Sequence, residues 1–401
     1  MALPPIVGLE IGTHRIVALV GEQDAEGRVT IVGMGTTPTT GVRKGEIVSL
    51  GNVRFGISEC IRQAEASADV KIHEVYLGVT GAHLRTCRHR GMAPVRGHNR
   101  TVGREDIEEV LESAESVNLA DSQEVLHTIC RQFALDDQEG ILNPEGMRGA
   151  QLAVDVLVVH GARNRLENAS NAVRGLSLKV VDTAFTGICA AMAVLTSEQR
   201  RAGVILIDLG AGTTDYLAYV DNKIELAGTL ALGGDHLTND VALAFQISSK
   251  SAEALKCTQG SALMTLAGGA KRVQVPADVP GFAAREVSLK ALHCVLNARA
   301  DEILRCVYAQ MEAAGLLSHI GAGVVITGGG ACLNGMPELV QHVFGLPCGI
   351  GLPVHVEGLR DAPSPTTFAS AAGLVCYGFK AHEQSSLFSP LRNWFRGVLG
   401  R

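Results

Sequence analysis

Apolar and polar positions fall into blocks along the chain, and the blocks recur. Ile6 to Ile11 is an apolar, β-branched run. Gly12-Thr13-His14 interrupts it, Ile16 to Val20 resumes it, Asp24 to Gly27 turns, and Val29 to Val32 closes a three-stranded meander. Asn52 to Asp69 carries Ile57, Ile61 and Ala64 on one helical stripe, and Val75 to Thr80 reads as another strand. The plan returns in the second half. Val204 to Leu209 is apolar, Gly210 to Thr214 is a glycine turn, Tyr216 to Val220 resumes, and Ile224 to Ala227 follows the turn Asp221-Asn222-Lys223. Helices are expected from about Thr238 and from Ser251 to Cys257. Setting Leu9–Thr13 beside Ile207–Thr213 places Glu10 over Asp208 and Gly12 over Gly210. The pattern predicts two α/β halves of similar topology that arose by duplication.

The segment between the halves reads differently. Gly103 to Val117 is a polar helix with Ile107, Val110, Leu111 and Ala114 on its buried stripe. Leu152, Val154, Val156 and Val158 alternate with polar and small residues, as in a half-buried strand. Residues 83–162 are therefore expected to form a small inserted α+β domain.

Composition narrows the function. Of 401 residues, 46% are hydrophobic and 19% charged, enough apolar side chain for a sizeable core. Aromatics are 4% and the net charge is −6, which argues against nucleic acid as a partner. The closest two of the ten cysteines, Cys294 and Cys306, are twelve apart, and neither CxxC nor HExxH occurs. Zinc and iron–sulfur sites are thus not expected. The thiols are expected to be reduced, the chain to lack a leader, and the protein to be cytosolic. No membrane span is expected, since the long uncharged stretch Ala313 to Pro337 contains seven glycines.

Three motifs carry candidate chemistry. Asp208-Leu-Gly210-Ala-Gly212-Thr213-Thr214-Asp215 passes from strand to strand as a glycine hairpin, with Gly210 and Gly212 allowing positive φ and close backbone approach to an anion. Glu10-Ile-Gly12-Thr13-His14 supplies a second hairpin, and the opposed pair makes a phosphate clamp. Asp208 and Asp215 repel a phosphate directly but can hold Mg²⁺ through its waters, and Glu10 supplies a third carboxylate; Glu10 and Asp208 are the candidate metal partners. Gly328-Gly329-Gly330, followed by Leu333, ends an apolar strand and offers bare backbone to a nucleoside. Gly233-Gly234, with Glu253 and Lys256 a helical turn apart, offers an adenosine clamp, although a solvated helix pair fits those two residues equally well.

These residues resemble the actin, Hsp70 and sugar-kinase superfamily. Within it the chain resembles the FtsA family of bacterial cell-division proteins over nearly its whole length. The resemblance is carried by Val7–Glu22, Lys44–Leu50, Val75–Leu84, Gln138–Gly149, Gly203–Tyr219, Gly233–Phe245 and Gly323–Met336. The run Ile141-Leu-Asn-Pro-Glu-Gly146 is not generic to actin-like folds and favours this family. The resemblance implies an actin-like duplicated ATPase fold. Subdomain 1A would comprise residues 1–82 and 163–202, a 1C-like insert 83–162, and subdomains 2A/2B 203–380, with a return to 1A near 358–380. It also implies ATP in the cleft, filament formation and late divisome partners on the insert. The C-terminal tail of FtsZ would bind between Asp235 and Leu304, where Arg285, Glu286, Arg299, Asp301 and Glu302 were expected on one helix.

After a linker at 381–388 of at most ~30 Å, residues 389–401 read as an amphipathic helix. Ser389 caps it, Pro390 fits its first turn, and Leu391, Trp394, Phe395, Val398 and Leu399 share one face. Arg392 and Arg396 lie opposite, and Arg401 ends the chain, a pattern suited to anionic lipid; the resemblance implies that this is the cytoplasmic side of the inner membrane. The resemblance to actin-like ATPases implies that a polar residue on the helix before the second hairpin polarises the attacking water; the matching stretch, Thr183 to Ser197, contains no Gln, Glu or His, so weak or no ATPase activity is expected. The rival readings are a sugar-kinase-like or Hsp70-like ATPase and a pilus-assembly relative. The first lacks an identifiable substrate base, the second a domain after the ATPase, and the third does not account for the terminal helix.

Overall fold

The computed structural model describes residues 3–264, 271–277, 280–359 and 362–387, with side chains as far as Glu383. The first half opens with the meander β1 (Ile6–Ile11), β2 (Arg15–Gln23) and β3 (Val29–Pro38). The short pair β4 (Val42–Arg43) and β5 (Glu46–Ile47) leads to α1 (Leu50–Ala68) and β6 (Glu74–Val79). β3 runs to Pro38, further than the apolar run suggested. Gly33 and Gly35 let it press on α1, where an added Cβ at Gly33 would meet the Ala64 carbonyl at 3.0 Å. The stripe on α1 is buried as Val53, Ile57, Cys60, Ile61 and Ala64.

The insert comprises β7 (Arg85–Pro94), α2 (Arg104–Glu115), β8 (Gln123–Leu135), β9 (Gln138–Ile141) and β10 (Gln151–Ala162). Its sheet has the order β7-β10-β8-β9. Alternation along β10 divides its burial between two cores. Leu152, Val154, Val156 and Val158 pack with Val110 and Leu111 of α2, while Leu157 and Val159 join the core of the first half.

The chain re-enters the first half with α3 (Arg163–Arg174), β11 (Lys179–Phe185), α4 (Thr186–Val194) and α5 (Ser197–Ala202). The second meander is β12 (Val204–Leu209), β13 (Thr214–Val220) and β14 (Lys223–Leu230). Then come α6 (Gly234–Phe245), α7 (Ser249–Gln259), β15 (Arg272–Val275), β16 (Arg285–Ser288) and α8 (Leu289–Ala313). β17 (Val324–Thr327), α9 (Met336–Phe344), β18 (Cys348–Ile350), β19 (Val356–Glu357) and α10 (Ala369–Leu387) complete the order.

The duplication is visible in the sheets. The first has the order β11-β6-β1-β2-β3-β19 and the second β14-β13-β12-β17-β18. In both, an antiparallel meander extends into parallel strands: β1 pairs with β6 as β12 pairs with β17. α4 and α10 pack against each other in the core of the first half. α4 is buried at every residue, in keeping with its apolar character all round. Its partner α10 follows the chain's crossing back to the first half, where β19 pairs with β3.

Two expectations change, and a third lies outside the described residues. Arg285 and Glu286 are not on a helix with Arg299. They lie on β16, where only Val287 is fully buried, and Ser288 ends that strand where α8 begins. Residues 381–387, expected as an irregular linker, continue α10. The terminal segment, with Leu391, Arg392, Trp394, Phe395, Arg396, Val398 and Leu399, lies outside the described residues. Among the described residues no helix is long and apolar enough to cross a membrane.

Candidate functional site

Two hairpins of the same construction meet between the halves. Gly12 N–H donates to the Arg15 carbonyl at 3.0 Å, and Gly210 N–H to the Thr213 carbonyl at 2.9 Å. In the first, Ile11 faces Ile16; in the second, Leu209 faces Thr214 and Asp208 faces Asp215. The turn glycines do not adopt the positive φ expected of Gly210 and Gly212. Space selects them instead. A Cβ on Gly12 would meet the Arg15 carbonyl at 2.7 Å, and one on Gly212 would collide with Thr13 of the opposite hairpin. The hairpins thus touch tip to tip across the cleft.

They border a cavity of about 900 Å³, lined among others by Glu10, Gly12, Thr13, His14, Asp208, Gly210, Gly212, Thr213 and Asp215. Gly234, Glu253, Lys256, Gly328, Gly329, Gly330 and Leu333 also line it. Thr214 and Gly233 do not. The Thr214 hydroxyl donates to the Leu232 carbonyl at 2.8 Å. Gly233 supports the hairpin, since a Cβ there would meet the Gly210 and Ala211 carbonyls at 2.6 Å. The Gly234 and Asp235 amides donate to those same two carbonyls, which is why α6 begins at Gly234 rather than at Thr238.

The glycine triplet is shaped by the hairpin behind it. Gly328 has φ +81°, and a side chain there would collide with Asp208; one at Gly330 would collide with Leu209. Gly329 lies in the open, with its nearest neighbour Thr367 at 3.9 Å. Opposite, Glu253 and Lys256 form a closed network rather than a solvated pair. The ammonium lies 2.7 Å from Glu253 Oε2 and donates to the Thr238 hydroxyl at 2.9 Å, and that hydroxyl donates to Glu253. Burial opposes ionisation of Glu253, but Lys256 and Thr238 hold its pKa below the usual carboxylate value.

Three carboxyls converge at the base of the hairpins. Burial, followed by the nearby Asp208, pushes Glu10 up to about 8, with Arg15 acting in the opposite direction. Burial and Asp215 push Asp208 up to about 7, against a 2.6 Å hydrogen bond from the Ser370 hydroxyl. Asp215 is raised by burial but accepts from Thr80 at 2.6 Å, Thr186 at 2.6 Å and Thr229 at 2.8 Å. Its oxygens are committed to threonines, which leaves Glu10 and Asp208 as the candidate cation partners. Among the described residues, no three His, Cys, Asp or Glu side chains are placed to enclose a metal. Two hard oxygen donors with raised pKa values suit Mg²⁺ held through water and ligand oxygens. Thr13 Oγ accepts from Gly45 N–H at 3.0 Å, so its proton is free to donate into the cavity. The arrangement suits an elongated, polyanionic ligand with an apolar or sugar-like end.

The sequence reading missed Arg15, Thr80, Thr186, Thr229 and Ser370. Arg15 donates to the Thr367 carbonyl at 2.6 Å and stacks 4.2 Å over the Phe368 ring. Its position just after the first glycine turn was an available signal; the hydroxyl residues gave none. The candidate partner residues are already engaged. Arg299 holds Asp240 at 2.6 Å, Arg285 donates to Gln246 at 2.9 Å, and Glu286 pairs with Arg272 at 3.0 Å.

Comparison with known proteins is consistent with this geometry. A family model described as cell division protein FtsA matches residues 205–373, and one described as the SHS2 domain inserted in FtsA matches 81–160. The cell division protein FtsA of Pseudomonas aeruginosa is 36% identical over 375 residues, covering 94% of this chain and 89% of that one. Its counterpart in Escherichia coli K12 is 35% identical over 384 residues, covering 94% and 91%. That of Borreliella burgdorferi is 30% identical over 403 residues, covering 97% and 98%. Among solved structures, a PilM–PilN type IV pilus biogenesis complex superposes with a TM-score of 0.65 at 17% identity, covering 93% of this chain and 98% of that one. MreB5 of Spiroplasma citri bound to ADP gives 0.57 at 13% identity, covering 96% and 99%. At those identities the likeness is one of fold alone.

Proposed function

The chain belongs to the FtsA family of cell division proteins, and on that footing we propose that it binds ATP and Mg²⁺ between its halves. In the polymerised state it tethers FtsZ, through the FtsZ C-terminal tail, to the inner face of the cytoplasmic membrane at the septum. The observation that carries the nucleotide reading is the pair of matched hairpins, Gly12–Arg15 and Gly210–Thr213, bordering one cavity with Glu10 and Asp208 at its base. The turn backbones and the Thr13 hydroxyl receive the phosphates. Glu10 and Asp208 orient the hydrated ion, which supplies positive charge to the phosphate oxygens. The nucleoside lies between the bare backbone at Gly329 and the Glu253–Lys256 network of α7.

ATP then acts as a conformational ligand that favours one arrangement of the halves. Thr186, at the start of α4, spends its hydroxyl on Asp215, and the rest of that helix is apolar and buried, so no group there activates water. Residues 389–401 supply membrane attachment, and polymerisation multiplies a weak single-helix affinity. The insert is the surface for later division proteins.

The test is sedimentation of FtsZ with anionic vesicles. FtsZ pellets when this chain, ATP and Mg²⁺ are all present, and stays in the supernatant when the chain is omitted or FtsZ lacks its tail. FtsZ that pellets equally without its tail contradicts the tethering reading.

A further inference from the structure

The inserted domain is covalently part of the first half, yet it is fastened to the second. β14 is an edge strand of the second sheet, and the insert lies along it. The Thr86 hydroxyl of β7 donates to the Ala227 carbonyl at 2.8 Å. Glu225, with its side chain only 13% exposed, pairs with Arg88 at 2.7 Å and with Arg131. Lys223 donates to Gln132 at 3.1 Å. Two strands of the insert therefore hold β14 at Lys223 and Glu225 through side chains and at Ala227 through its carbonyl.

The other end of the same strand reaches the candidate nucleotide site. Thr229 donates to Asp215 Oδ1 at 2.8 Å, and Thr80, at the root of the insert, donates to that same oxygen at 2.6 Å. These contacts close a ring: Asp215 to Thr80, along the chain to Thr86, across to Ala227, along β14 to Thr229, and back to Asp215. Only residues 80–86 and 227–229 form its covalent arcs. A rearrangement of the second hairpin relative to the first half must therefore strain the ring, break the Thr86–Ala227 bond and the Glu225 ion pairs, or carry the insert along.

We propose that ligand binding at the two hairpins sets how the inserted domain docks on β14, so that the insert presents its outer face according to nucleotide state. This rests on the nucleotide reading above. The two sites are coupled reciprocally: whatever factor the ligand applies to docking, docking applies to ligand affinity. Thr86 and Glu225 lie outside the cavity, so they can be altered without removing a group that lines it.

The experiment is hydrogen exchange of the full chain, with MgATP binding measured on the same samples. Wild type is expected to bind MgATP and to change exchange in peptides spanning 85–94 and 123–135 by about fivefold or more, the lower end of the usual range of coupling. Thr86→Val/Glu225→Gln is expected to bind MgATP still and to lose that response. The single Glu225→Gln, which keeps side-chain shape, should show an intermediate response. Binding to wild type without a change in those peptides overturns this inference and leaves the nucleotide site standing. An undiminished response in the double variant overturns it too. No binding to wild type overturns both readings.

Discussion

Glu10 and Asp208 are held protonated by their surroundings well above the ordinary carboxylate range. A folded-state pKa raised above the unfolded value means the folded chain keeps protons that the unfolded chain releases, so stability falls as pH rises through that window. Buried His127, lowered to about 3, works in the opposite sense, but its contribution is complete above the ordinary histidine range near 6.5. In the metal-free protein, the melting temperature should therefore drop by a few degrees between about pH 6.5 and 8.5. Asp208→Asn should flatten the drop, and a wild-type melting temperature that rises over this window contradicts the burial of these carboxyls. Legibility at this scale followed sequence distance. Glu10, Gly12, Asp208 and Gly210 were readable because each hairpin is assembled from neighbours. Ser370, 162 positions from the Asp208 it holds, and Thr80, 135 from Asp215, were not. Hydroxyls are common, and only the fold selects which of them matter. The reason given for the turn glycines changes: Gly12 and Gly212 are required by close packing within and between the hairpins rather than by positive φ, which belongs to Gly328.

Elements with strong periodicity were legible, and their ends were less so. The α1 stripe and the alternation of β10 appear as read, because a buried face fixes the period. α6 starts four residues early because its first amides bond to the second hairpin, a tertiary contact that apolar spacing does not encode. Arg285 and Glu286 precede the buried Val287 on β16, whereas Arg299 lies on α8, so strand and helix divide the expected charged group. The linker is helical through Leu387, so at ~1.5 Å per residue those positions advance about 10 Å rather than the ~30 Å of an extended chain. Trp394→Glu puts a charge among the apolar positions of residues 389–401 and removes their main interfacial anchor. Wild type should sediment with anionic vesicles, less so at high salt, which screens Arg392, Arg396 and Arg401, whereas Trp394→Glu should stay in solution. Equal sedimentation of the two contradicts membrane attachment through this face.

At the scale of the whole molecule, two matched sheets set two matched turns tip to tip, so the repeated plan places the turns opposite each other. This architecture was the most legible level, since repeated blocks separated by 200 residues survive any error at an element's end. Docking of the insert on β14 was invisible, because it joins a domain nested in one half to the edge of the other. With no water-orienting group on α4, turnover of ATP by the isolated protein should stay below about one per second; faster release of phosphate contradicts the role of ATP as a conformational ligand. The roles proposed for the hairpins, the glycine triplet and α7 all require the cleft to hold a nucleotide. Calorimetric titration of MgATP into wild type and Asp208→Ala, with circular dichroism to confirm that both are folded, tests this most directly. Saturable binding by wild type, weakened at least tenfold in Asp208→Ala (about 1.4 kcal/mol or more), is the predicted result. Equal affinity in the two folded proteins would contradict it.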